Sequence, residues 1–187
     1  KMNSNYDVII VGGGAAGVFS AINTAKNKKH LNIAILEKTT QLLSKVKVSG
    51  GGRCNVTHAC FEPKELVKFY PRGSKELLGA FYQFQPTDTI NWFKERNVEL
   101  KTEIDGRMFP VTDNSQTIID CFTNELTKYN IDVFYNTKVE HISKNHQEFE
   151  LITNQNSFKT TKLLITTGGF NKLEHYQFIT QLGITIE

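Results

Sequence analysis

The stretch "YDVIIVGGGAAGVFSAINTAKN", Tyr6–Asn27, followed by "LNIAILEK", residues 31–38, leaves a chain little freedom. An apolar run of strand length meets a glycine turn, the turn opens an Ala-rich helix, and a second apolar run ends on Glu37. Strand, crossover helix and strand at this spacing make a βαβ unit, which puts its strands parallel in one sheet. The turn satisfies G-x-G-x-x-G through Gly12, Gly14 and Gly17, with Ala15 and Ala16 between. Alone that pattern is weak. Between a strand and a helix, with an acid 20 residues beyond Gly17, it is the dinucleotide-binding context. Gly12 permits the tight turn, Gly14 lets backbone approach a pyrophosphate, and Gly17 lets the helix pack on the strand. The pyrophosphate would sit on the N–H groups at the positive end of the helix dipole. Glu37 is placed to accept the adenosine ribose hydroxyls, and its charge disfavours a 2′-phosphate there. The motif does not separate FAD from NAD. Its bland alternative is a glycine turn in an unrelated α/β protein.

Beyond Glu37 the pattern loosens. Residues 38–60 are rich in Ser, Gly and Thr and read as a loop too long for an idle connection. "PKELVKFY", "SKELLGAFYQF" and "PTDTINWFKERN" read as helices, the last with Thr87 as N-cap. "VELKTEIDGRMFPV" reads as a hairpin turning at Asp105-Gly106. "NSQTIIDCFTNELTKYN" is amphipathic, with Ile118, Ile119, Phe122 and Leu126 on its apolar side. "IDVFYN" returns to a strand. "TKVEHISKN", "EFELITNQ" and "SFKTTKLLITT" form an antiparallel meander ending in an apolar strand closed by Gly168-Gly169, and "KLEHYQFITQLG" is a last helix. Nothing repeats, and no low-complexity linker breaks the chain.

The second glycine run, "SGGGRCNVT", lacks the Lys-Ser/Thr pair of a phosphate loop. Cys54, His58 and Cys60 lack a fourth ligand at zinc spacing, so no metal is expected. Arg53 could activate a nucleophilic Cys54, but no acid–base partner is local. A mobile surface loop is the bland alternative, with His58 a surface histidine. The functional reading is close backbone approach to a flat or anionic ligand, with Arg53 offsetting charge and Ser49 and Asn55 hydrogen-bonding ring heteroatoms. A bulky residue at Gly51 should then cost ligand binding more than folding.

These segments occur together and in order: the strand–"GGGAAG"–helix–"ILEK" unit, "SGGGRCN", "GRMFPV" and the "TTGG" strand end. That set resembles the HI0933-like flavoproteins, also called the BaiN or aminoacetone-oxidase-like FAD-dependent oxidoreductases. The resemblance implies an α/β fold: a Rossmann-like FAD-binding domain with a parallel sheet plus a small antiparallel β-meander. By that resemblance Gly12, Gly14, Ala15, Ala16 and Gly17 hold the pyrophosphate, Glu37 and Lys38 serve the adenosine side, and Ser49, Gly50, Gly51, Gly52, Arg53, Cys54 and Asn55 run beside the flavin. Val139 offers its backbone to the adenine, although alone it reads as a core valine. Thr167 and Gly168 close over the diphosphate and ribose. Family members are longer, so residues 1–187 are expected to be the N-terminal FAD-binding part, truncated before a substrate domain and a C-terminal capping segment.

The resemblance also implies hydride transfer through flavin N5 to or from a small organic substrate, with NAD(P)H as a candidate donor. No catalytic acid or base is named. A tRNA-modifying flavoprotein and a non-catalytic FAD- or NAD-sensing module are the competing readings. A net charge of +3 without an aromatic-interleaved basic stripe argues against a nucleic-acid partner. No apolar run is long enough for a membrane span. Three cysteines without CxxC suit a reducing compartment, so a cytoplasmic location is expected. The sequence leaves oligomeric state open.

Overall fold

In a computed structural model, residues 4–169 and 172–186 are described. Aliphatic residues fill β1 (Asn5–Val11) and β2 (Ile33–Leu36), and α1 (Ala15–Asn27) connects them. The two strands are parallel, in register from Val8 opposite Ile33 to Val11 opposite Leu36. Both are buried almost throughout, as a strand covered on both faces must be.

The chain divides into two compact units: residues 1–44 with 122–187, and residues 45–121. The first unit is a six-stranded sheet. β6 (Asp132–Phe134), β2, β1 and β9 (Ser157–Ile165) run parallel, while β8 (Glu148–Thr153) and β7 (Val139–Asn145) continue from β9 as the antiparallel meander. β9 therefore does two jobs. It ends the meander and it pairs with β1, which brings Thr166 beside the first glycine turn. Tyr6, Ile9, Leu36, Ile142, Leu151 and Phe158 form the core on one face. The Tyr6 hydroxyl donates to Asp132 Oδ2 at 2.7 Å. Burial, then that bond, raises its pKa.

The second unit contains α2 (Ser44–Gly52, whose first residue belongs to the first unit), a three-stranded antiparallel sheet and three further helices. The sheet runs β3 (Thr57–His58), β5 (Arg107–Pro110), β4 (Leu100–Thr102), and β4 and β5 are the expected hairpin around Gly106. The helices are α3 (Pro63–Leu66, extended by a 3₁₀ turn over Val67–Phe69), α4 (Ser74–Gln83) and α5 (Pro86–Lys94). α6 (Ser115–Lys128) carries the chain onward; Ile118, Phe122 and Leu126 are buried and Ile119 is half-buried, as its periodicity requires.

Three expectations need correction. Residues 38–60 are not all loop, because 44–48 are helical and Thr57–His58 pair with β5. Ser and Lys there masked a single helical turn. The N-cap of α5 is Gln85, not Thr87: Pro86 takes the first helical position, where its missing N–H costs nothing, and Asp88 accepts the Gln85 N–H at 2.8 Å. The last helix is broken into a 3₁₀ turn at Leu173–Tyr176 and α7 (Gln177–Thr180).

Candidate functional site

Gly12 leaves β1 at φ +106°, a conformation that only glycine adopts readily. A Cβ there would lie 2.7 Å from the Thr166 carbonyl oxygen, and one on Gly17 would overlap the Gly12 carbonyl. Both glycines are therefore fixed by the close approach of β9 and α1. Gly14 differs: its φ of −78° suits any residue, and a Cβ would meet nothing within 4 Å. Nothing in the protein demands a glycine there. A ligand that comes against the backbone would.

α1 begins at this point without a side-chain cap and without an acid in its first turn. Its N-terminal N–H groups and the positive end of its dipole are thus left for an anion. Ala15 and Ala16 are exposed in that first turn. The residues present fit the pyrophosphate of a dinucleotide.

Glu37 follows β2 and is only 9% exposed. Its Oε2 accepts the Gly13 N–H at 2.8 Å, and Oε1 accepts both the N–H and the hydroxyl of Thr39 at 2.8 Å. The carboxylate thus ties the glycine turn to the chain beyond β2. Oε1 is filled by Thr39, whereas Oε2 keeps a second lone pair with which a ribose hydroxyl could still be accepted. Lys38 beside it is exposed, and Val139 starts β7 with its side chain in the core. Thr167 is half-buried and Gly168 is exposed at φ +71°, both just beyond β9.

The second glycine run lies in the other unit. Ser49 is extended (φ −64°, ψ 149°), and Gly50, Gly51 and Gly52 follow at φ +56°, +69° and +87°. Cys54 is also left-handed, at φ +63°. Three successive glycines are therefore a conformational requirement, closed by the Cys54 N–H donating to Ser49 O at 3.0 Å. Gly50 is packed, since a Cβ would sit 2.7 Å from the Phe109 ring. Cβ atoms on Gly51 and Gly52 would meet nothing within 4 Å, which leaves this backbone open. Asn55 is exposed, and the Ser49 hydroxyl donates to Val46 O at 2.9 Å.

Arg53 is more committed than its sequence suggested. Its guanidinium pairs with Glu103, lies 3.6 Å from Asp113 and stacks 4.0 Å over Phe109. Those carboxylates take up charge that a ligand would otherwise have used. Burial pushes the Cys54 thiol pKa up, against a smaller opposing hydrogen bond from Ser49, which is the wrong direction for a nucleophile. Among the described residues, no group of three or more His, Cys, Asp or Glu is arranged to hold a metal ion.

A family model, the HI0933-like protein Rossmann domain, matches residues 6–186. The chain belongs to the HI0933-like family. The ribosomal RNA dihydrouridine synthase of Escherichia coli is 28% identical over 166 residues, covering 89% of this chain and 40% of that protein. The 3-dehydro-bile acid delta(4,6)-reductase of Clostridium scindens is 23% identical over 160 residues, covering 86% and 38%. The chain therefore spans well under half the length of either. The crystal structure of 3-ketosteroid-delta4-(5alpha)-dehydrogenase from Rhodococcus jostii RHA1 superposes with a TM-score of 0.65 over 91% of this chain and 47% of that one, at 13% identity. That likeness shows the shared fold.

Two residues of this HI0933-like Rossmann domain escaped the sequence reading. Gly13, a filler in the motif, is buried; a Cβ would run into Leu42 and Glu37, and its N–H holds Glu37. The Thr166 hydroxyl lies 2.9 Å from the Gly12 carbonyl and 3.1 Å from that of Val11, clamping the turn to β9. The repeated Thr of "TTGG" was the available signal, but only the pairing of β9 with β1 shows which threonine faces the turn.

Proposed function

We propose that this chain is the FAD-binding part of a flavoprotein oxidoreductase. The observation that carries the proposal is the uncapped N-terminus of α1 beside Gly14, a glycine that packing does not require. Family membership supports FAD as the dinucleotide. Relatives in three organisms are named as reductases or oxidoreductases, including an NADH:fumarate oxidoreductase of Klebsiella pneumoniae and a ferredoxin--NADP reductase of Malacoplasma penetrans. When bound, FAD supplies hydride transfer at its flavin ring.

The residues divide the work. The first turn of α1 binds the pyrophosphate, with Gly14 giving clearance. Glu37 and Thr166 hold the turn in shape before the cofactor arrives, which cuts the ordering cost of binding. The open Gly51-Gly52 backbone offers N–H groups to the flavin, and NAD(P)H is the proposed donor. A cytoplasmic setting is part of this reading; no helix among the described residues is long and apolar enough to cross a membrane. Flavin absorbance tests the proposal. The purified full-length protein should be yellow or take up added FAD stoichiometrically; a colourless protein that takes up none overturns it.

A second reading concerns the substrate. Two relatives, from Escherichia coli and Haemophilus influenzae, are named ribosomal RNA dihydrouridine synthase, which favours a base in RNA over a free small molecule. Filter binding of ribosomal RNA at two salt concentrations tests it. Salt-sensitive retention supports RNA, and equal background at both rejects it.

A further inference from the structure

We propose that residues 38–43 are a strap that fixes the shape of the first glycine turn, with Leu43 as its positioning residue, a role that rests on reading that turn as a pyrophosphate site. Every residue of the strap and every partner it holds lies in one compact unit.

Leu43 is the outlier that points to it. Its φ is +59°, in the left-handed region. Among the described residues, the other non-glycine residues there are Cys54, Asn97, Asp113, Asn130, Asn136 and His146. Asn and Asp ease such a backbone by hydrogen-bonding locally, and an aliphatic side chain has no means of doing so. Leu43 is also only 1% exposed. Its conformation is therefore imposed by the surroundings, and backbone strain held in this way clusters at ligand clamps.

The strained residue secures one bond. The Leu43 N–H donates to the Gly13 carbonyl at 2.9 Å. That carbonyl shares a planar trans peptide with the Gly14 N–H, so the two groups point in opposite directions. Drawing the carbonyl to Leu43 therefore sets the direction of the Gly14 N–H, at the entry to α1. The preceding peptide is already held at both ends: its N–H donates to Glu37 Oε2 at 2.8 Å, and its carbonyl lies 2.9 Å from the Thr166 hydroxyl. Leu42 adds a steric hold, since a Cβ on Gly13 would fall 2.2 Å from Leu42 Cδ2. Thr39 ties down the base of the strap. Its N–H and hydroxyl donate to Glu37 Oε1, and its carbonyl accepts the Asn136 N–H at 2.9 Å.

Leu43 could instead turn left-handed only to start α2 at Ser44, and its bond to Gly13 would then be incidental. Leucic acid in place of Leu43 separates the two roles, because this amide-to-ester replacement keeps the side chain and removes the N–H. FAD, and ADP as a second ligand carrying the pyrophosphate, are titrated into the full-length protein, with urea unfolding on the same preparations. The ester should bind both ligands about tenfold more weakly than the parent, the scale of one lost hydrogen bond. Leu43→Val, whose branched Cβ resists the left-handed region, should lose a similar factor. Leu43→Gly keeps the N–H and takes φ +59° readily, and should restore binding to within about threefold even where its urea midpoint falls with the lost side chain. A residue that served packing alone would show the reverse order, with glycine the weakest binder. Ester binding equal to the parent's, or glycine binding as weak as the ester's, overturns the proposal; both comparisons hold even if Leu43→Val fails to fold. Uptake of ADP without FAD by the parent would reject the flavin reading, and a loss of ADP affinity in the ester would still support the strap. A parent that takes up neither overturns both.

Discussion

At the scale of single residues, the glycines fall into two classes that the motif does not distinguish. Gly12 and Gly17 answer to packing, whereas Gly14 answers to whatever approaches from outside. Gly17→Ala drives a methyl into the Gly12 carbonyl and the Thr166 hydroxyl and should destabilise the fold by about 1–3 kcal/mol. Gly14→Ala should stay within about 1 kcal/mol of the parent, yet weaken FAD uptake at least tenfold. Urea unfolding and flavin titration on the same preparations check both. If Gly14→Ala leaves FAD affinity unchanged, the pyrophosphate does not approach there. Gly51 needs a gentler substitution than a bulky residue. At φ +69° a valine pays about 1–2 kcal/mol for the left-handed backbone alone, so loss of binding by Gly51→Val would mix strain with steric block. Asparagine tolerates that region. Gly51→Asn should therefore fold as the parent does while still weakening FAD binding several-fold. Unchanged binding would mean that the glycine run serves the turn rather than a ligand.

At the scale of elements, the sequence was most readable where one periodicity ran uninterrupted. β1, α1 and β2 carry period and turn chemistry that agree, and the three strands of the meander were each visible in order. Residues 44–58 were not readable, because a single helical turn followed by four left-handed residues has no periodicity. The commitment of Arg53 was hidden for a related reason. Glu103 lies 50 residues away, and only the pairing of β3 with β5 and of β5 with β4 brings the hairpin carboxylates to it. That network makes the hairpin sensitive to acid. Asp113 is held below the ordinary aspartate value of 3.8 mainly by a hydrogen bond from Lys101, and Asp105 mainly by the Arg107 backbone N–H. A depressed carboxylate stabilises the fold above its unfolded pKa, and that contribution is lost as pH falls through the lower folded value. Thermal stability should therefore be level above the ordinary aspartate range and decline below 3.8. Asp113→Asn should flatten part of that decline while lowering stability near neutrality. An identical acid limb in the parent and the variant would show that the network does not contribute.

At the scale of the whole molecule, the candidate residues are shared between two units that the chain visits in the order first, second, first. Gly12–Gly17, Glu37, Val139, Thr167 and Gly168 belong to one, and Ser49–Asn55 to the other. Family membership gives both a claim on the cofactor, and the physical arguments for them differ. The first rests on an uncapped helix end and the second on an open left-handed backbone. Amide hydrogen exchange separates the claims, because a bound ligand slows opening only where it holds the folded backbone. With saturating FAD, amides 14–17 should exchange more slowly than without it, and so should amides 50–55. Protection of 14–17 alone would keep the Rossmann site and remove the flavin cradle. Protection of neither, with FAD demonstrably bound, would place the cofactor elsewhere and overturn the reading of α1. The comparison needs no substrate and no turnover, so it judges the cofactor site independently of which reaction the longer relatives catalyse.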